Sequence, residues 1–247
     1  MNRIAAAAIA VAVVAGAVAA GAAIGIGRND NKSSPPPTPS PTTTPTTGGL
    51  VAGSGGSGKA ADGKTPIRFP STCDGAAQAA AAYSISLTDE TGYAKPGVAG
   101  TKRPGLKATL DYIFNTGGQL DPTAAEHKET ALIPNQTLPG LTAHPEWGGY
   151  KVVNCVTKFS STINLFSCLT GYPDSDGGAL CTSTVWELVW NGDDWHVARI
   201  PATAVAPDPA ASLPDALKAP NPLPAAVRRQ ALAAGGAGWT EWANAPK

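Results

Sequence analysis

Nothing in the first 66 residues has the composition of a water-soluble core, and this confines the folded part of the chain to residues 67 onward. Residues 4–27, IAAAAIAVAVVAGAVAAGAAIGIG, carry no charged or polar side chain. As a helix rising about 1.5 Å per residue they would span roughly 36 Å, enough to cross a bilayer. Residues 1–28 therefore read as a membrane anchor or signal segment. The run is longer than the apolar stretch of about 7 to 15 residues in a signal peptide, which favours a retained anchor, with secretion after cleavage as the alternative. Residues 29–66 read as a disordered stalk. Within them SSPPPTPSPTTTPTT holds an extended polyproline path, and residues 48–65 are Gly, Ser, Lys and Ala without periodicity. The GSGGSG inside this stretch has neither the spacing nor the preceding strand of a phosphate-binding loop.

Charge narrows the partners. Lys plus Arg equals Asp plus Glu at 18 each, so no basic excess is available to neutralise phosphates and nucleic acid is not expected as a partner. His127, His144 and His196 fall on a helix, a loop and a strand without metal-ligand spacing. No Gly-x-Ser-x-Gly elbow lies between a strand and a helix. Catalytic residues, cofactors and metals are accordingly all expected to be none, and the chain is not expected to be an enzyme.

Residues 67–201 are the stretch with both helical and strand periodicity. Ala76, Ala80, Tyr83 and Leu87 recur at helical spacing after Asp74, giving one apolar stripe. Pro104 opens a second helix with Leu106, Leu110, Ile113 and Phe114, closed by Gly117 and Gly118. Asp121–Pro122 caps a third over 122–132. After a Pro/Gly loop over 134–149, four strands come in succession: YKVVNCVTKFS, TINLFSCLTG, CTSTVWELVW and DWHVARI. Asn191–Gly192 predicts a two-residue hairpin turn that sets Leu188 opposite Trp195 and Glu187 opposite His196. Trp186, Leu188, Trp190, Trp195 and Val197 then share one face, most simply a core face, while Glu187 and His196 form a surface pair. Residues 202–247 are Pro/Ala-rich with a short helix at Ala225–Ala234. Trp239 and Trp242 mark them as a segment that docks on the domain or on a partner.

The four cysteines, Cys73, Cys155, Cys168 and Cys181, all lie after the apolar run. An even number outside the cytoplasm predicts two disulfides, and four reduced thiols in a cytosolic domain is the alternative. In a meander Cys155 and Cys181 lie two strands apart, nearly 10 Å, beyond the roughly 7 Å a disulfide bridges. Of the two remaining pairings, Cys168 with Cys181 and Cys73 with Cys155 is preferred, because it closes a loose loop and staples the first helix to the sheet. Parity then requires adjustment, since Cys181 falls on the face opposite Trp186 and Leu188. A bulge between Cys181 and Trp186 would supply it.

Helices first, then a four-stranded antiparallel meander ending in WELVWNGDDWHV, resembles the NTF2-like (cystatin-like) α+β fold. The resemblance implies three N-terminal helices packed on a curved four-stranded sheet. Preceded by an apolar segment and a Pro/Thr stalk, and with this Ala/Gly/Pro bias, the chain is similar to actinobacterial membrane-anchored proteins, distantly VirB8-like and TcpC-like conjugal transfer components. What this implies is a non-enzymatic domain held outside the cell membrane by a single span, contacting other envelope or membrane proteins in a conjugative or secretion apparatus. The alternative is an NTF2-like cup that binds or isomerises a small apolar ligand, with Tyr83, Trp186, Trp190 and Trp195 as its pocket or core aromatics. Isomerase-like members use a Tyr and Asp pair, for which Tyr83, Tyr112, Asp111 and Asp121 are the residues at hand.

Overall fold

Alanine fills most of residues 76–82, so the helix they form has little bulk on any side and neighbouring segments pack close to its backbone. The computed structural model describes residues 46–47, 49–88, 105–118, 122, 125, 128, 141–171, 176–201 and 205–247. That helix, α1 (Cys73–Thr88), is capped by the Thr72 hydroxyl, which accepts from the Gly75 N–H at 3.1 Å, and carries Asp74 in its first turn. Its sequence predicts one apolar stripe, yet Ala76, Ala77 and Ala79–Tyr83 are all buried. One side faces the sheet. The other lies under residues 49–72, of which 49–66 are expected from composition to be stalk.

That expectation needs correcting for residues 49–66. They contribute Ala52 and Ala60 to the same core as α1, and Ile67 and Phe69 come directly after. Phe69 meets Tyr83 edge to face at 5.9 Å between centroids. A short antiparallel pair, β2 (Gly58–Lys59) with β3 (Pro66–Ile67), is turned by Asp62, whose carboxylate accepts from the N–H groups of Lys64 and Thr65. The glycines here permit closeness: a Cβ on Gly55 would stand 2.3 Å from the Gln78 side chain. Helix α2 (Leu106–Ile113) buries Leu110, Ile113 and the adjoining Phe114.

The main sheet has the order β1 (Thr46–Thr47), β8 (Thr240–Glu241), β4 (Thr142–Val156), β5 (Ser160–Thr170), β6 (Leu180–Trp190) and β7 (Trp195–Arg199). Its centre is the expected meander of β4, β5, β6 and β7. Strand β4 begins inside the predicted 134–149 loop. Pro145 is accommodated because pairing with β5 lapses between His144 and Gly149. Gly148 and Gly149 are required by close approach, since a Cβ on either would meet the carbonyl oxygen of Phe166 or Thr240 at 1.8 and 2.6 Å.

The NTF2-like expectation of three helices on one face of a four-stranded sheet is overturned. The sheet gains β8 (Thr240–Glu241), antiparallel to β4, and β1 (Thr46–Thr47), parallel to β8. Among the described residues two full helices precede it. The third predicted helix, 122–132, lies outside the described residues except for 122, 125 and 128, which are helical. Both faces of the sheet are covered. On the first, α1 packs on Ile163, Leu165, Trp186, Leu188, Trp195 and Val197. On the second, residues 205–239 close over Trp147, Phe166, Cys168 and Cys181 with Leu213, Leu223, Leu232 and Trp239. Among the described residues the folded unit accordingly runs from Thr46 to Lys247, wider than 67–201. The physical reason is β5, whose INLFSCL is apolar on both faces and requires two covering layers.

The C-terminal layer is fastened by its own helix, α3 (Ala225–Ala234). Its Arg228 is buried and donates to Glu241 at 2.8 Å and to the Pro246 carbonyl at 2.8 Å. Trp239 and Trp242, three apart on either side of a two-residue strand, emerge on opposite faces. Trp239 enters the second core and Trp242 the first, where it lies 4.3 Å from the Tyr150 ring.

The disulfides are Cys73–Cys155 and Cys168–Cys181, the preferred pairing. The bulge is real but sits in β4 rather than between Cys181 and Trp186. Val152 pairs with Ile163, Asn154 with Thr162 and Cys155 with Ser161, so Val153 is the extra residue and Cys155 turns to the α1 face. Pairing of β5 with β6 runs unbroken from Ser160–Val189 to Leu169–Leu180. Cys168 and Cys181 oppose each other directly, on the second face. Among the described residues no helix is long and apolar enough to cross a membrane, and residues 4–27 lie outside them.

Candidate functional site

Two polar clusters stand out against these cores. The larger centres on Asp194, which is completely buried. One carboxylate oxygen accepts from the N–H groups of Phe69 and Trp195, both at 2.8 Å. The other accepts from the Arg68 N–H at 2.5 Å and the Tyr112 hydroxyl at 3.0 Å. The Tyr83 hydroxyl divides its proton between the Trp195 carbonyl at 2.8 Å and the second carboxylate oxygen at 3.2 Å. Arg68 reaches the hub with a left-handed backbone, φ 61°. The Asp thus ties the covering segment, α1, α2 and the β6–β7 turn to one point.

This corrects the expected hairpin. Trp190 pairs with Trp195, so the turn spans Asn191–Asp194, and Glu187 lies opposite Arg199 instead of His196. A two-residue Asn–Gly turn is displaced because Asp194 is drawn inward by five donors. The shared aromatic face matches the sequence expectation, with Trp190 against Trp195 at 5.5 Å. His196 is buried, not a surface residue. Its Nδ1 donates to the Tyr112 carbonyl at 2.7 Å, and its Nε2 lacks a hydrogen-bond partner among the described residues, the Asp193 carboxylate being 3.7 Å away.

A Tyr and Asp pair is present, then, but Asp194 supplies it in place of Asp111 or Asp121. Asp111 is half-buried and bonded to Lys107 and Lys128, which hold its carboxyl below the usual range. Asp121 lies outside the described residues. What the sequence offers for Asp194 is a second Asp directly before a buried Trp, a position where a turn would normally leave it in water. Its oxygens are so fully engaged that it is an anchor for backbone N–H groups rather than a proton acceptor for a ligand. Tyr83, Trp186 and Trp195 are likewise buried in packing, and Trp190 half-buried against it.

The second cluster fastens the interrupted part of β4. His144 Nδ1 lies 2.8 Å from Glu146 Oε1, its Nε2 3.1 Å from Thr170 Oγ1, and its ring stacks on Trp147 at 3.9 Å. Hydroxyl, imidazole and carboxylate stand in the order of a nucleophile, a base and its orienting acid. Here the trio replaces the ladder bonds lost between His144 and Gly149, on the second face beside Cys168. No group of three His, Cys, Asp or Glu capable of holding a metal occurs among the described residues.

The chain matches no protein-family model, no curated protein and no solved structure. Its function is therefore argued from its own residues.

The hub sets a pH dependence. Burial, reinforced by the charge of Asp194, holds the phenols of Tyr83 and Tyr112 well above their usual range, and burial raises Tyr150 in the same direction. The folded state keeps these protons while the unfolded chain releases them near pH 10, so their contribution is complete below about pH 10 and declines above it. Each fully buried phenol removes about 1.4 kcal/mol per pH unit there, and the half-buried Tyr112 less. Melting temperatures should fall steeply from about pH 10 upward, and the fall should be shallower in Tyr83→Phe; an unchanged slope would exclude the hub as its cause.

Proposed function

We propose that this chain is a membrane-tethered protein whose domain works outside the cytoplasm by contact with other envelope or membrane proteins, and not by turnover of a substrate. The observation that carries the reading is the pairing of all four cysteines in disulfides downstream of an apolar run and a Pro/Thr tract. Disulfides persist where the compartment is oxidising. The polar clusters support the same reading, because each joins structural elements to one another. The apolar segment and Pro/Thr tract, which resemble those of conjugal transfer components, are the ground for proposing a conjugative or secretion apparatus as the setting of such contacts.

Topology is the testable part. A reporter active only in the cytoplasm, fused after Lys247, should be silent, and a reporter active only outside should be active. Strong cytoplasmic activity would overturn the proposal.

A further inference from the structure

The turn end of the β4–β5 hairpin carries the three most exposed large apolar side chains among the described residues: Val153 at 53 % and Val156 at 52 % in the last residues of β4, and Phe159 at 69 % in the turn. Each is outward for an identifiable reason. Val153 is the extra residue of the bulge, Val156 lies on the second face where the C-terminal layer does not reach, and Phe159 comes after Lys158, whose φ of 60° turns the chain. The hairpin is also basic. Residues 148–170 contain Lys151 and Lys158 and no Asp or Glu.

Strand direction says which way this end points. Thr46 is level with Thr240, which is level with Tyr150, and Thr47 with Glu241 and Gly149. Strand β1 therefore runs against β4, and the chain enters the domain from the end of the sheet that carries the β4–β5 turn. From Tyr150 to Val156 the hairpin projects about 20 Å further in that direction, at about 3.3 Å per residue. The apolar run 4–27 is joined to this entry point by residues 28–45. As a coil such a linker averages about 23 Å, comparable with the projection of the hairpin, so a coiled linker lets the turn meet the surface from which it comes.

We propose that the β4–β5 turn is the domain's lipid-facing end, with Val153, Val156 and Phe159 seated in the interface of an anionic bilayer and Lys151 and Lys158 at its headgroups. This rests on the membrane-tethered reading. Three side chains fall far short of the roughly 800 Å² per partner of a stable protein interface. A bilayer contact requires much less, because the tether makes it intramolecular and raises the effective concentration. Apolar residues flanked by Lys are also the composition of interfacial membrane contacts.

The test uses the full chain with Phe159 replaced by the photo-crosslinking analogue p-benzoylphenylalanine. A second variant carries the analogue in place of Leu217, which is 43 % exposed and lies by the opposite end of β6, where Ala216 accepts from the Cys181 N–H. Both are reconstituted into vesicles of phosphatidylglycerol and phosphatidylethanolamine, irradiated and analysed by mass spectrometry. Lipid adducts at position 159 should exceed those at 217 by about tenfold, the ratio that roughly 1.4 kcal/mol of preferential contact produces. Equal yields overturn the proposal, as do adducts at 159 that are chiefly to protein, whether another copy or another part of this chain. Alkaline carbonate extraction of the same vesicles separates the two readings. A chain that is extracted refutes the tether and the lipid contact together, whereas a retained chain without lipid adducts at 159 refutes the lipid contact alone.

Discussion

Asp194→Ala is expected to lower the stability of the domain by about 4 kcal/mol or more, the largest effect of any single side chain away from the aromatic core. The substitution strips an acceptor from three backbone N–H groups and weakens the hold on two hydroxyls, and each buried donor left without a partner costs about 1 to 3 kcal/mol. For a unit of this size that corresponds to a fall of about 10 °C or more in melting temperature. Asp194→Asn should recover only part of the loss, because its amide NH₂ must face either the Phe69 and Trp195 N–H groups or the Arg68 N–H and the Tyr112 hydroxyl. Thermal melts of the two variants decide the matter. A fall of a degree or two in Asp194→Ala would show that the hub holds nothing together.

The second large effect lies in the disulfides, which should differ in weight. Cys73–Cys155 closes a separation of 82 residues and Cys168–Cys181 one of 13. Loop-closure entropy assigns them about 4.5 and about 3 kcal/mol. Replacing Cys73 and Cys155 by Ala should therefore shift a denaturant midpoint further than replacing Cys168 and Cys181. The second pair also leaves a void between two buried strands, which narrows the difference without reversing it. If the shorter loop proved the more costly to open, native-state packing rather than chain constraint would be the dominant contribution.

Much of the central architecture is legible because it comes from period and spacing. Leu106, Leu110 and Ile113 mark a helix by their recurrence. Trp186, Leu188 and Trp190 mark one face of a strand by their alternation, and the equal spacing of Cys155, Cys168 and Cys181 constrains their pairing once the strands form a meander. The failures have a common physical origin. Residues 49–66 are buried through small residues and backbone, with glycines admitting Gln78 and Ile85, and such burial leaves no hydrophobic period. Gly148 and Gly149 look like loop residues, but they are there to let neighbouring carbonyl groups approach. Asn191–Gly192 is a strong local turn signal that a long-range demand overrides, because Asp194 answers to Arg68 and Phe69 over 120 residues away. The covering layer from residue 205 onward reads as a docking tail because proline and alanine dominate it, and its one buried ion pair among the described residues, Arg228 with Glu241, joins residues whose partnership no local pattern announces. The candidate site is legible to a similar depth: an inward-facing row of tryptophans can be read from alternation, whereas the Asp194 hub requires the fold.

The position of β8 determines when this domain becomes a domain. It is the final strand in sequence, yet it lies between β1, the first, and β4, and its flanking tryptophans seal one core each. A chain emerging from the N-terminus forward lacks the β8 edge of the sheet, the full cover of its second face and the packing of Trp242 on Tyr150 until residue 242 is free. Its contacts of greatest sequence separation join residues 46–52 to residues 240–244, and contacts of that kind are the slowest to form. A chain stopped short of Trp239 leaves the second face of the sheet and the β4 edge uncovered, which lowers its stability and opens it to proteolysis.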